Sequence, residues 1–330
     1  MFNESNLSKK ESDQAMMMMV DEKELNGSNR YKERIEDGVW KPSIFDRFEN
    51  VLGVGASTKE LKRIIRGRGE AAKVRLISDI ERFDQDFFQE EMDVKVAKVG
   101  AGRILINLLK RIAPEANPSK IEKTSLEHGN NVIVVNQEYL QKDKKDRVRI
   151  MADGLITNLS GIPIMVMAAD CAPVGIYDPK NQAIGAFHSG WRGTLKQISL
   201  RGIEKMVKEY GSRPEELLVA IGPYAGGQDY EVSSREYTQF QEAQDEEGNL
   251  LYSQEEINTF FQENKEKPGH YFLDIGEAIR LSLVKVGILP EQIQLSQYST
   301  MSQDGNALFS SERKEGREGR DASVFMMVLK

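Results

Sequence analysis

The chain has 330 residues, 39% of them hydrophobic and 8% aromatic, enough for a sizeable core in one or two domains, while 29% charged residues and a mean hydropathy of -0.50 assign part of it to solvent. A net charge of -7 and a pI near 5.4 oppose the concentrated basic face of a nucleic-acid-binding protein, although local arginines could still meet a small anion. One cysteine excludes an intrachain disulfide framework, and no stretch approaches the roughly 20 apolar residues of a membrane span. The sequence therefore reads as a soluble cytoplasmic protein with neither nucleic acid nor membrane as partner, and the pattern sets no oligomeric state.

From Met1 to Gly38 the chain is polar, rich in Ser, Asn, Lys and Glu, and without sustained periodicity, which predicts a disordered tail. The run Met16 to Val20 is too short for a signal-peptide core and is followed by acidic residues. Residues 39–330 read as a single catalytic domain with a divergent N-terminal part over 39–120. Ser57 to Phe88 carries apolar residues at helical spacing around Leu61, Ile64, Ile65, Val74, Leu76 and Ile77, with a break near Gly67 and Gly69. Residues 92–100 alternate like a strand, and residues 103–112 predict a short amphipathic helix before Pro114. "GVGAS" at Gly53 lacks the third glycine of a dinucleotide-binding loop.

Beyond His128 short apolar runs, "NVIVV", "IPIMVMAA", "PVGIYD" and "AIGAF", alternate with Gly, Pro, Asp and Asn, and predict buried strands. Helical spacing follows over Leu195 to Tyr210, Ser234 to Ala243, Gln254 to Gln262 and Asp274 to Val286, with a terminal strand over Ser323 to Leu329. Without strict βαβ alternation, the expected class is α/β, a mixed β-sheet sandwich with covering helices.

Three histidines and one cysteine make the placement of each informative. His128 precedes a strand, Cys171 follows an apolar run, and His188 ends one and opens the turn "SGWRG", so strand ends could bring the three into one cleft. A Cys-His-His set with an open position suits catalytic zinc, which activates a bound water, although spacings of 43 and 17 residues are no zinc signature. The plainer alternatives are an inert core cysteine and a turn-capping histidine. His270, in "EKPGHYFLD", reads as structural or solvated. Asp170 could shuttle protons if the chain turns beside Cys171, or could cap that turn, ahead of a Pro173 expected to stop regular pairing. Arg192 could hold phosphate or pack on Trp191, and Gly190 and Gly193 would admit a ligand close to the backbone. Arg313, Lys314, Arg317 and Arg320 form either a solvated loop or a set of anion contacts folded over the cleft.

In order, "HG", "DGLITN", "AADCAP", "AFHSGWRGT", "AIGPYAGGQDYEV" and "FSSERKEGREGR" resemble the motifs of the laccase-domain family, first called multicopper polyphenol oxidases and now mostly described as purine nucleoside phosphorylases. The resemblance implies zinc, rather than copper, held by His128, Cys171 and His188. It also implies phosphorolysis of adenosine, inosine, guanosine and methylthioadenosine with phosphate as co-substrate, and deamination of adenosine. Asp170, Cys171 and Arg192 are then the expected catalytic residues, and Arg192, Arg313 and Arg320 the substrate contacts. Ser299 stands where many relatives have cysteine, and Glu312-Arg313 where a double arginine is usual. The alternatives are a Cys171-His188 hydrolase of amidase, deamidase or peptidoglycan-editing type, a copper-dependent oxidase, and a metal-binding protein without activity.

Overall fold

The computed structural model describes residues 33–37, 39–57, 105–302, 309, 311–314 and 322–330. Its strands are β1 (Glu33–Glu36), β2 (Val39–Pro42), β3 (Leu52–Ser57), β4 (Val132–Val134), β5 (Gly154–Thr157), β6 (Ile164–Ala168), β7 (Ala172–Asp178), β8 (Ala183–Ser189), β9 (Leu218–Ile221), β10 (Glu231–Ser233), β11 (Phe261–Glu263), β12 (His270–Leu273), β13 (Ile293–Leu295) and β14 (Ser323–Leu329). They form a five-stranded sheet ordered β1-β2-β3-β14-β6, a six-stranded sheet ordered β13-β9-β7-β8-β5-β4, and a small sheet β10-β12-β11. The six-stranded sheet is mixed: β4 with β5 and β9 with β13 run parallel, and its other pairs antiparallel.

Period-two alternation sends one face of each large sheet inward. Phe325, Met327 and Leu329 of β14 join Leu155, Tyr177, Ile184, Ala186, Leu218 and Ala220 of the six-stranded sheet in a core between the two sheets. The alternate residues Val324, Met326 and Val328 pack with Leu108, Leu109 and Ile112 of a helix over residues 105–112. On the far side Val174, Ile176, Phe187, Val219 and Ile221 meet Ile203 and Met206 of the Ile198–Tyr210 helix and Ile279 and Leu283 of the Ile275–Lys285 helix. Burial on both faces explains why β7 and β8 read as unbroken apolar runs rather than alternating ones. The expected α/β sandwich with covering helices is the fold observed.

Several boundaries differ from the sequence reading, each for a local reason. Glu33–Glu36 pairs with β2 instead of belonging to a tail, because Glu33 receives the Trp40 indole at 3.1 Å and the Gln297 main-chain N–H at 2.8 Å. The helix expected over Leu195 to Tyr210 is two, Trp191–Leu195 and Ile198–Tyr210, because Gln197 lies at φ +58 and breaks the hydrogen-bond ladder. Pro173 does not end pairing: it sits within β7 opposite His188. The N–H of His188 is given to the Asp153 carbonyl at 2.7 Å on the β5 side, so this pair exchanges no bond across β7 and β8, and a residue lacking N–H is tolerated. The helices expected over Ser57 to Phe88 and the strand over residues 92–100 lie outside the described residues, apart from Ser57 itself.

Candidate metal centre

β7 and β8 are neighbours, and Cys171 immediately precedes the first while His188 is the last residue but one of the second. His128 sits before β4, which joins through β5 to β8. The three side chains, scattered in sequence, therefore meet at the strand ends along one side of the six-stranded sheet. Their ligand atoms all lie within 4.8 Å of one another. Tetrahedral zinc with nitrogen and sulfur ligands would bring such atoms to about 3.3–3.6 Å, so small side-chain movements close the set. The two imidazoles stand edge to face, 4.9 Å between centroids. His188 is buried, Cys171 half-buried and His128 exposed, which leaves the cluster approachable from the His128 side.

Two backbone features make the convergence. His128 and Asp170 both occupy the left-handed region, at φ +56 and +83, a conformation that costs non-glycine residues on the order of 1–3 kcal/mol and persists only where the surroundings fix it. The turn at Asp170 is the one its expected role required. Gly190 begins the Trp191–Leu195 helix, and a Cβ there would stand 2.6 Å from Cys171 Sγ and 3.6 Å from His128 Cδ2, so only glycine leaves the thiol its place.

Behind the cluster lies Asp153, fully buried at the start of β5 and not singled out by the sequence reading. Its Oδ1 lies 3.0 Å from His188 Nδ1, and its carboxylate accepts the main-chain N–H groups of His128 at 3.0 Å, Gly129 at 2.8 Å and Glu127 at 3.3 Å. One carboxylate thus holds the His128 loop and orients the His188 ring, leaving Nε2 as the free ligand atom of that imidazole. Burial disfavours the charge on Asp153, but the His188 and main-chain hydrogen bonds hold its carboxyl below the usual range. Burial likewise pushes the Cys171 thiol up, yet hydrogen bonds with His128 and His188 prevail and bring it down to about 6. For His188 burial works against the proton, while Asp153 and Cys171 favour it and raise the imidazole to about 9. A thiolate, two imidazoles and an orienting carboxylate make a donor set that fits a zinc or copper ion.

Asp170 is buried; Thr300 Oγ1 donates to its Oδ1 at 2.7 Å, and the Arg313 main-chain N–H to its Oδ2 at 2.9 Å. Arg313 stacks on Tyr230, 4.3 Å from the ring centroid, and donates from Nη1 to the Glu231 carbonyl. Burial raises the Tyr230 phenol to about 12, against the opposing charge of Arg313. Arg192 is exposed with its guanidinium carbon 4.2 Å from the centroid of the Trp191 ring, the packing that was one of its two expected roles. Arg320 and Arg317 lie outside the described residues. His270 is outside the cluster and pairs with Glu231 at 3.0 Å. Among the described residues two clefts lie elsewhere: one of about 320 Å³ includes Arg34 and Arg111, the other, of about 510 Å³, includes the buried Glu122–Arg147 pair, and neither contains a cluster residue.

Asp153, Tyr230 and Thr300 escaped the sequence reading because their roles depend on cross-strand and long-range placement. The available signal for Asp153 was its place at the head of the "DGLITN" motif, which says nothing of which histidine it will face.

A mixed sandwich carries, at the strand ends of one sheet, a Cys-His-His cluster that could hold a metal ion. The family profile described as multi-copper polyphenol oxidoreductase laccase matches residues 107–328, about two-thirds of the chain, and the protein belongs to that family. A relative from Bacteroides thetaiotaomicron, called purine nucleoside phosphorylase, is 30% identical over 202 residues, 61% of this chain and 70% of its own length. Purine nucleoside phosphorylase YlmD of Bacillus subtilis is likewise 30% identical over 202 residues, 61% of this chain and 68% of the relative. The fold is shared with YlmD from Geobacillus stearothermophilus, TM-score 0.64 at 21% identity, covering 91% of this chain and 98% of that one. It is also shared with the Bacillus licheniformis protein YfiH, TM-score 0.65 at 22% identity, covering 90% and 99%. Among the described residues no helix is long and apolar enough to cross a membrane.

Proposed function

We propose that the protein is a zinc-dependent purine nucleoside phosphorylase. The observation that carries the reading is the convergence of His128, Cys171 and His188 with Asp153 behind them; the names of the relatives supply the substrate class. His128, Cys171 and His188 would hold the ion, which when bound supplies Lewis acidity at the open side of the cluster. Asp153 keeps His188 Nδ1 engaged and so keeps Nε2 aimed at the ion. Copper is less suited as an oxidase centre, since three histidines and one cysteine in the whole chain are too few for a multicopper cluster.

In phosphorolysis a phosphate oxygen bonds to C1′ of the ribose as the C1′–N9 bond breaks; the bonding pair stays with the purine, which takes up a proton, and ribose 1-phosphate leaves. Arg192 and Arg313 are the phosphate contacts, their guanidiniums offering paired N–H groups to its oxygens. The test is turnover of adenosine, inosine, guanosine and methylthioadenosine by zinc-loaded protein, with and without phosphate, beside metal content per chain. Phosphate-dependent release of free base by the wild type, lost together with the metal in His188→Ala, is the expected result. Ammonia released from adenosine without phosphate identifies deamination instead. Full turnover in His188→Ala sinks the mechanism.

A second reading rests on the same thiol, which the two imidazoles bring down to about 6: Cys171 acting as the nucleophile of a hydrolase. Activity that survives chelation but is lost on alkylating Cys171 would select it.

A further inference from the structure

Asp170 directly precedes Cys171, yet the hydrogen bonds described for it lead elsewhere. Oδ1 accepts the hydroxyl of Thr300, 130 residues further along, and Oδ2 the main-chain N–H of Arg313, 143 residues further along. The Asp170 carbonyl accepts the Ala225 N–H at 2.8 Å, so one residue ties three segments together. Asp170 and Thr300 are both buried, at 7% and 3% exposure, where a hydrogen bond to a carboxylate is sheltered from competing water. Residues 312–314 form a helical turn outside the sheets, so no strand ladder fixes them. Arg313 is held instead at its main chain by Asp170 and at its side chain by the Tyr230 ring and the Glu231 carbonyl. Both Asp170 oxygens act as acceptors, and an acceptor is the one partner the Arg313 N–H can use.

We infer that Asp170 is a positioning residue rather than a proton carrier: its carboxylate latches Thr300 and the Arg313 main chain, and thereby sets the Arg313 guanidinium on Tyr230 as the anion contact beside the metal centre. That the anion is phosphate rests on the proposed phosphorolysis; the latch itself does not.

The test compares full-length, zinc-loaded Asp170→Asn and Thr300→Val with wild type, after confirming equal metal content. Two quantities are read: the rate of tryptic cleavage after Arg313 and Lys314, followed by mass spectrometry, and KM for phosphate against kcat. Loss of one hydrogen bond to a buried carboxylate should raise both the cleavage rate and KM by roughly tenfold in Asp170→Asn, and less in Thr300→Val. At saturating phosphate kcat should stay within about twofold of wild type. A fall in kcat with KM and cleavage at wild-type values overturns the inference and returns Asp170 to proton transfer. Should Asp170→Asn not fold, Thr300→Val, which exchanges a hydroxyl for a methyl, decides alone. If the wild type phosphorolyses no purine nucleoside, the functional reading fails while the cleavage rates still judge the latch, and unchanged rates overturn it.

Discussion

Asp153 gathers four donors on one carboxylate, His188 Nδ1 and three successive main-chain N–H groups, and this arrangement sets the proton inventory of the metal-free site. The Cys171 thiol, at about 6, is already thiolate at neutral pH, whereas His188, at about 9, still carries its proton. A metal requires both groups deprotonated, so between those values, of the two, it is His188 rather than the cysteine that gives up a proton on binding. Lowering the pH through this window makes that proton harder to displace; below the lower value a second proton, on the thiol, must also leave. Apparent metal affinity should therefore fall about tenfold per pH unit across the window and more steeply beneath it. Competition with a chelator of known pH dependence checks this, and an affinity flat between pH 6.5 and 8.5 would contradict the assignment of the proton to His188.

At the scale of elements, the position of β8, and with it His188, depends on how closely the Ile198–Tyr210 helix approaches the sheet. Phe187, fully buried next to His188, fills a space bounded by three glycines. A Cβ on Gly202 of the helix would stand 2.2 Å from the Phe187 ring, and those on Gly154 of β5 and Gly185 of β8 2.5 and 2.6 Å from it. Gly202→Ala would gain about 1 kcal/mol in helix propensity. Overpacking of a full core costs about 1–3 kcal/mol, and the ring has glycine-sized clearance on three sides, so the cost should prevail. The expected outcome is a net loss of about 1 kcal/mol in denaturant unfolding with weaker zinc binding, because a displaced Phe187 carries His188 with it. A more stable variant with unchanged metal affinity would show that the helix can move away freely.

At the scale of the molecule, what was legible in the sequence followed from period and punctuation. β7, β8 and β14 announce themselves as apolar runs, and the His128, Cys171 and His188 cluster as rare residues at strand ends. What escaped was set by pairing across the chain: β5 and β9 are short and only become buried strands when inserted between neighbours, and Asp153 gains its role from lying beside β8. Nor does β14 reveal from its own residues that it lies in the interior of its sheet, antiparallel to β3 on one side and to β6 on the other. It completes two cores at once, through Phe325, Met327 and Leu329 on one face and Val324, Met326 and Val328 on the other. Phe325 also reaches Gly175 of β7, the strand that carries Cys171 at its entry, where a Cβ would stand 2.5 Å from the ring. Burying six such side chains contributes about 1.5–3 kcal/mol each. That matches or exceeds the roughly 5–15 kcal/mol by which a whole domain is stable, before counting the ladder bonds lost along β3 and β6. A chain ending at Asp321 should therefore neither accumulate in soluble form nor show near-ultraviolet dichroism or a cooperative thermal transition. If it instead melted cooperatively within a few degrees of the full chain and bound one zinc, the five-stranded sheet would be an accessory to the metal-bearing sheet rather than half of a single folding unit.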